Sequence, residues 1–185
     1  MATLRRPSAL FVCDLQERFA HVVANFPDIV RSARLMVDVC RTMRIPIVVT
    51  EQNPERLGKT VDDLGPLDNA AIKVNKMQFS MVTPQVSAWL RENHVKDVVL
   101  VGIETHVCVH QSALDLLGIG VTVHVVCDAV GSQRPMDMDV ALQQMARDGV
   151  RLTTSEAIAF RLLGTADDLN FKNVSALLKA RHAQR

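Results

Sequence analysis

Asp14, Lys76 and Cys108 each follow closely on an apolar, strand-like run: Leu-Phe-Val-Cys before Asp14, Ala-Ile-Lys-Val-Asn before Lys76, and Val-Val-Leu-Val-Gly-Ile plus a short turn before Cys108. A carboxylate can take up and return a proton, an ammonium can hold and tune a neighbouring anion, and a thiolate is a strong nucleophile. Cys108 is expected in the first turn of a helix, where unpaired N–H groups and the helix dipole favour a thiolate. Each residue also has a plainer reading. A free cysteine is most often a small apolar packing residue, an Asp after a strand can cap the next turn, and most lysines are simply solvated. Cys13, Cys40 and Cys127 are read as packing thiols. His106 is set against a Cys–His pairing by its spacing, because residues two apart on one helical turn face apart.

The elements that must bring these residues together follow from hydrophobic pattern. Ala9–Cys13, Ile45–Thr50, Ala71–Val74, Asp97–Ile103, Val121–Cys127 and Val150–Thr153 are short runs rich in Val and Ile, which reads as strands buried on both faces. Between most of them lie helical patterns. Asp28–Met43 repeats apolar residues on one face, Thr83–Glu92 opens with a Thr-Pro start signal, and Thr105–Leu117 ends at Gly118, suited to a left-handed cap. Such alternation builds a three-layer α/β/α domain around a doubly wound, parallel sheet. Ligands of such domains bind beyond the carboxyl ends of the strands, where Asp14, Lys76 and Cys108 fall.

The 185 residues suit one domain spanning 1–185, with no repeat, low-complexity tract or linker. An apolar fraction of 48%, a charged fraction of 22% and 21 basic against 20 acidic residues are ordinary for a globular protein and give no global sign of a nucleic-acid or membrane partner. Basic residues cluster only near the ends, at Arg5-Arg6 and at Lys179, Arg181 and Arg185. Four cysteines without a CxxC pair, no secretory h-region and no apolar run of membrane-spanning length place the expectation in a reducing, cytoplasmic compartment.

Around Cys108 the string Gly102-Ile103-Glu104-Thr105-His106-Val107-Cys108-Val109 resembles the nucleophile motif of the isochorismatase-like cysteine hydrolases. Phe11-Val12-Cys13-Asp14-Leu15-Gln16 with Phe19 is similar to that family's first-strand Asp-x-Gln motif, and Lys76-Met77-Gln78-Phe79-Ser80-Met81 to its lysine motif. The likeness continues through Thr50-Glu51-Gln52-Asn53-Pro54, Cys127-Asp128-Ala129 with Ser132, and Thr153-Thr154-Ser155-Glu156-Ala157. The resemblance implies a six-stranded parallel sheet and hydrolysis of a small amide or related substrate through a thioester. Cys108 would attack the carbonyl, Asp14 would move the proton, and Lys76 would hold and tune the pair. It further implies an oxyanion hole from the backbone N–H groups of Glu104 and Cys108, with a cis peptide between Ile103 and Glu104. The expected substrate-binding residues are Gln16, Phe19, Glu51, Phe79 and Thr105.

Departures from the family pattern narrow the reading. Members with nicotinamidase activity carry an Asp-x-His and a further His after the second strand to hold a metal; this chain has Glu51-Gln52-Asn53 there, so no metal and no other cofactor is expected. Members that cleave isochorismate lack the cysteine, so Cys108 argues against that reaction. The expectation is a metal-independent cysteine hydrolase with a small-molecule substrate, assembled as a homo-oligomer, a dimer or tetramer. Two competitors stand beside it: a catalytically silent scaffold, disfavoured by the intact triad, and a nuclease or RNA-associated protein, disfavoured by the near-zero net charge.

Overall fold

Alternation along the strands decides which side chains enter which core. The computed structural model describes residues 8–182, so Arg5-Arg6 and Arg185 lie outside the described residues. Six strands, β1 Ser8–Cys13, β2 Ile47–Gln52, β3 Ile72–Lys76, β4 Asp97–Ile103, β5 Thr122–Gly131 and β6 Arg151–Thr153, form one sheet in the order β3-β2-β1-β4-β5-β6, every pairing parallel. The helices are α1 Phe26–Thr42, α2 Pro54–Leu57, α3 Pro84–Glu92, α4 His110–Gly118, α5 Pro135–Arg147, α6 Ser155–Leu163 and α7 Phe171–His182. Leu10 and Val12 of β1 join Val99, Val101 and Ile103 of β4 in a core under α1, α6 and α7. Ala9, Phe11 and Cys13, one residue out of phase, join Val98 and Leu100 in a second core under α3, α4 and α5. This is the expected three-layer α/β/α arrangement. Full burial of such a side chain contributes about 1.5–3 kcal/mol, and together the two cores fix the register in which the strand ends are aligned.

Chain order reverses between β1 and β4: β1, β2 and β3 run outward on one side, and β4, β5 and β6 on the other. A crevice opens beyond the carboxyl ends at such a switch point. Asp14 follows β1 directly and Cys108 follows β4 by a single turn, so the topology brings both to that crevice.

The structure corrects the sequence expectation at three places. The two edge strands are not buried on both faces: Arg151 and Leu152 of β6 and Lys73 of β3 are exposed, because an edge strand has cover on one side only. Gly118 is the last helical residue, and the left-handed position is taken by Gly120, at φ +80°. The helix expected from Thr105 begins instead as a π-helical turn, Thr105–Val109, before α4. By contrast, the Thr-Pro signal reads as expected, with the Thr83 hydroxyl accepting from the Val86 N–H at 3.3 Å. Among the described residues no helix is long and apolar enough to cross a membrane.

Candidate active site

Asp14 takes a left-handed conformation, φ 49°, immediately after β1, a position that Asp tolerates better than most residues. Its side chain is fully buried. One carboxylate oxygen, Oδ1, accepts from the Thr50 hydroxyl at 2.7 Å, and the other, Oδ2, accepts from Lys76 Nζ at 2.7 Å. Lys76 ends β3, two strands away, and its side chain is also fully buried. The ammonium donates further to Gln52 Oε1 at 2.7 Å, to the Phe79 carbonyl at 2.8 Å and to the Gln78 carbonyl at 3.2 Å. A buried charge persists only when paired and hydrogen-bonded, and here the ion pair is surrounded by oriented dipoles from β2 and from the loop after β3.

Cys108 lies on the π-helical turn, 7% exposed. The Val107 and Val109 N–H groups both reach the Glu104 carbonyl, at 3.1 and 3.2 Å, the second closing the wider π-type turn around Cys108. Ser112 fixes this segment from below: its hydroxyl donates to the Cys108 carbonyl at 2.5 Å and accepts from the Met81 N–H at 2.8 Å, tying the turn to the loop after Lys76. Glu104 and His106 tie the turn to the connection after β5. Glu104 Oε1 accepts from the Gln133 N–H at 2.9 Å, and His106 Nδ1 meets the Ser132 hydroxyl at 2.9 Å. The peptide between Ile103 and Glu104 is cis.

One further side chain joins the cluster. The Cys13 thiol is fully buried in the same apolar cluster as Cys108. Burial, the neighbouring Cys108 thiol and the Asp14 charge push its pKa well above the ordinary thiol value, with Lys76 opposing. Asp14, Lys76 and Cys108 all act on the Cys13 thiol. A carboxylate, an ammonium and a thiol so arranged can generate a nucleophile and shuttle its proton.

The expected substrate-binding residues divide. Phe79 is 51% exposed and its carbonyl holds Lys76, and Phe19 is partly buried against the α1-side core. Thr105 is fully buried, and its hydroxyl has no hydrogen-bond partner among the described residues. The Gln16 amide donates to the Gln52 and Gly58 carbonyls at 3.0 and 2.7 Å and accepts from the Gln52 N–H at 2.7 Å, so it positions Gln52, the partner of Lys76. Glu51 Oε1 accepts from the Thr60 N–H and hydroxyl at 2.8 and 2.7 Å, with Lys73 Nζ at 3.5 Å, and it clamps the loop before β3. Burial pushes the Glu51 carboxyl up, but these hydrogen bonds and Lys73 outweigh it and hold the group below its ordinary value.

Sequence reasoning missed the supporting roles of Thr50, Gln52 and Ser112 and the placement of Cys13. Thr50 and Gln52 carried a signal, since they sit at the end of β2 between Asp14 and Lys76 in sheet order. A hollow of about 420 Å3 lined by Asn53, Pro54, Arg56, Asn75, Lys76 and Met77 lies at this end of the sheet. Hollows of about 590 and 640 Å3 lie elsewhere, one lined by Thr60, Pro66 and Lys73 and the other by Arg41, Ile45 and Asn69. Among the described residues no three His, Cys, Asp or Glu side chains are grouped so as to hold a metal ion.

Comparison with known proteins points to one family. Residues 8–157 match the model of the isochorismatase domain. The chain is 42% identical over 173 residues to isochorismatase domain-containing protein 1 of Danio rerio, covering 93% of this chain and 61% of that one. It therefore spans less than two thirds of that relative. A secreted isochorismatase effector, Isc1, of Phytophthora sojae is 41% identical over 93% of this chain and 84% of that one. Among solved structures, the MAR1 ribonuclease of Caenorhabditis elegans superposes with a TM-score of 0.88 at 45% identity, covering 93% of this chain and 89% of that one.

Proposed function

Because the chain belongs to the isochorismatase family, we propose that it is a metal-independent cysteine hydrolase of small amides or related carbonyl compounds, with Cys108 as nucleophile. The observation that carries this reading is the fully buried Asp14–Lys76 pair at 2.7 Å, with the loop after Lys76 tied through Ser112 to the turn that bears Cys108. A scaffold has no use for an ion pair that is costly to bury and is tied to the turn of a nucleophile.

In the first step the Cys108 sulfur attacks the substrate carbonyl carbon while Asp14 takes the thiol proton. Asp14 has room for this, since a carboxylate offers about four acceptor sites and Thr50 and Lys76 occupy one each. The proton passes to the leaving amine as the C–N bond breaks, leaving a thioester. Water then attacks that carbonyl, Asp14 takes its proton, and the departing sulfur recovers it. Lys76 keeps Asp14 oriented and tempers its negative charge beside the developing thiolate. The N–H groups of Glu104 and Cys108 serve as oxyanion donors, and one such donor contributes about 3–4 kcal/mol. The exposed Phe79, with Phe19, lines the approach. The protein acts in a reducing compartment such as the cytoplasm, where a free thiol persists, and as a homo-oligomer, which light scattering checks.

A panel of small amides and esters incubated with the protein, followed by mass spectrometry of the Cys108 peptide, tests the reading. An acyl adduct on Cys108 that forms and turns over in the wild type, forms far more slowly in Asp14→Asn and is absent in Cys108→Ala is the expected result. No adduct with any carbonyl compound, together with unchanged hydrolysis by Cys108→Ala, would overturn it.

The 45% identity to the Caenorhabditis elegans ribonuclease favours a second reading, RNA as substrate. The balance of 21 basic and 20 acidic residues speaks against it, since RNA binding draws on phosphate neutralisation. Salt-dependent RNA binding and cleavage that is lost in Cys108→Ala would establish it.

A further inference from the structure

Cys13 is a nucleophile that the proposed hydrolysis does not use. It ends β1, paired in register with Gly102 of β4, and it belongs to the same buried cluster as Cys108. The two backbones approach unusually closely there: a Cβ on Gly102, at φ +127°, would lie 2.0 Å from the Cys13 carbonyl oxygen. From this point β4 runs one residue further, and the π-helical turn that follows carries Cys108, whose thiol acts on that of Cys13 within the same buried cluster. A disulfide needs Cα atoms about 4.4–6.8 Å apart, and the end of β1 and the turn that follows β4 meet in the one buried cluster that holds both thiols.

We infer that Cys13 is the resolving thiol of an oxidative modification site, closing a reversible Cys13–Cys108 disulfide when the nucleophile is oxidised by a peroxide. The inference rests on the reading of Cys108 as a reactive thiol. The order of events follows from exposure. Cys13 is fully enclosed and Cys108 is 7% exposed, so peroxide meets Cys108 first. The Cys108 thiolate attacks one peroxide oxygen; an S–O bond forms, the O–O bond breaks and hydroxide leaves, giving a sulfenic acid. The Cys13 sulfur then attacks the Cys108 sulfur. An S–S bond forms, the S–O bond breaks, and the departing hydroxide leaves as water with the Cys13 proton. In total two thiols lose two electrons and one peroxide becomes two waters.

Burial disfavours the Cys13 thiolate and slows its attack. Contact works the other way, because well-oriented intramolecular groups react as though present at about 10⁵–10⁸ M. Lys76, which favours ionisation of Cys13, lies on the same side of the balance. Diversion to the disulfide spares Cys108 from the irreversible sulfinic acid and silences the nucleophile until a dithiol reduces it.

The test is mass spectrometry of the full chain after a several-fold molar excess of hydrogen peroxide, with wild type and Cys13→Ala compared, and with circular dichroism to show that the variant is folded. The expected wild-type product is a single linked Cys13–Cys108 peptide, reversed by dithiothreitol, while Cys13→Ala accumulates Cys108 sulfinic acid several-fold faster. Sulfinic acid at Cys108 in the wild type, with no linked peptide, overturns the inference and leaves the reactive Cys108 in place. Failure of Cys108 to react with either peroxide or iodoacetamide overturns both. The wild-type measurement decides the matter alone if the variant does not fold.

Discussion

Replacing Lys76 by methionine keeps an unbranched side chain of similar length and removes only the charge. In the wild type Lys76 Nζ stands 2.7 Å from Asp14 Oδ2, and neither side chain is exposed. The variant leaves the Asp14 carboxylate buried with the Thr50 hydroxyl as its one remaining donor among the bonds described above. Breaking a buried pair by removing one partner costs about 3–5 kcal/mol. Asp14→Asn is the milder change: it preserves shape, and the ammonium keeps Gln52 Oε1 and the Phe79 and Gln78 carbonyls, so its cost is about 1–3 kcal/mol. The double variant leaves no buried charge unpaired and should lose less than the sum, by about 1–3 kcal/mol. Urea unfolding followed by circular dichroism reads these differences as shifts of the midpoint at constant m. The reasoning fails if Lys76→Met costs less than about 1 kcal/mol, the value of an exposed pair, or if Asp14→Asn is the more damaging single change.

Among the four thiols, Cys108 should be alkylated first by a small electrophile at neutral pH, because burial pushes Cys40 up to about 12, Cys13 well above the ordinary value and Cys127 upward; site-resolved labelling in which the half-buried Cys127 reacts as fast as Cys108 would contradict this. Hydrolysis, once a substrate is found, should survive exhaustive chelation, and loss of turnover restored by zinc or iron refutes the metal-independent reading. Glu51 is held below its ordinary value in the folded chain, so it contributes stability above the unfolded carboxyl value of about 4.3, and that contribution disappears as pH falls through the lower, folded value. Glu51→Gln should therefore flatten the acid limb of stability against pH, measured by thermal unfolding between neutral and strongly acid buffers; an unchanged acid limb would show that the Thr60 clamp contributes nothing.

Much of the fold was legible because the four inner strands are buried on both faces, where an apolar run and a strand coincide. The edge strands lack that coincidence. β3 reads as ending at Val74, because Asn75 and Lys76 are polar, yet Lys76 is a strand residue: the sheet continues until its ammonium is opposite the end of β1. For the same reason β5 reads as stopping at Cys127, whereas it continues to Gly131 past Asp128. The Asp128 carboxylate finds partners no local pattern announces, the Ser155 N–H and hydroxyl and Arg181 from α7. Burial pushes Asp128 up, but these bonds prevail and hold it below its ordinary value. A polar residue ends an apolar run in sequence but not a strand in space when a distant helix supplies its partner.

The site divides along the same line. Asp14, Lys76 and Cys108 could be singled out because each closes or follows a strand, and strand ends converge at the switch point whatever their separation in sequence. What each side chain does on arrival depends on neighbours, which residue type alone does not specify. Gln16 and Glu51 are polar residues near the same sheet end, and both were expected to meet substrate. Each answers a backbone need in the folded chain: Gln16 satisfies Gln52 and Gly58, and Glu51 satisfies Thr60. Those needs exist because the chain between β2 and β3 must cross the end of the sheet without a ladder of its own, and buried backbone groups there require partners. Thr105 presents the opposite case, a buried hydroxyl for which the described residues supply no partner. Polar residues that close loops and polar residues that face a ligand look alike in sequence; they separate only when every donor and acceptor around them has been counted.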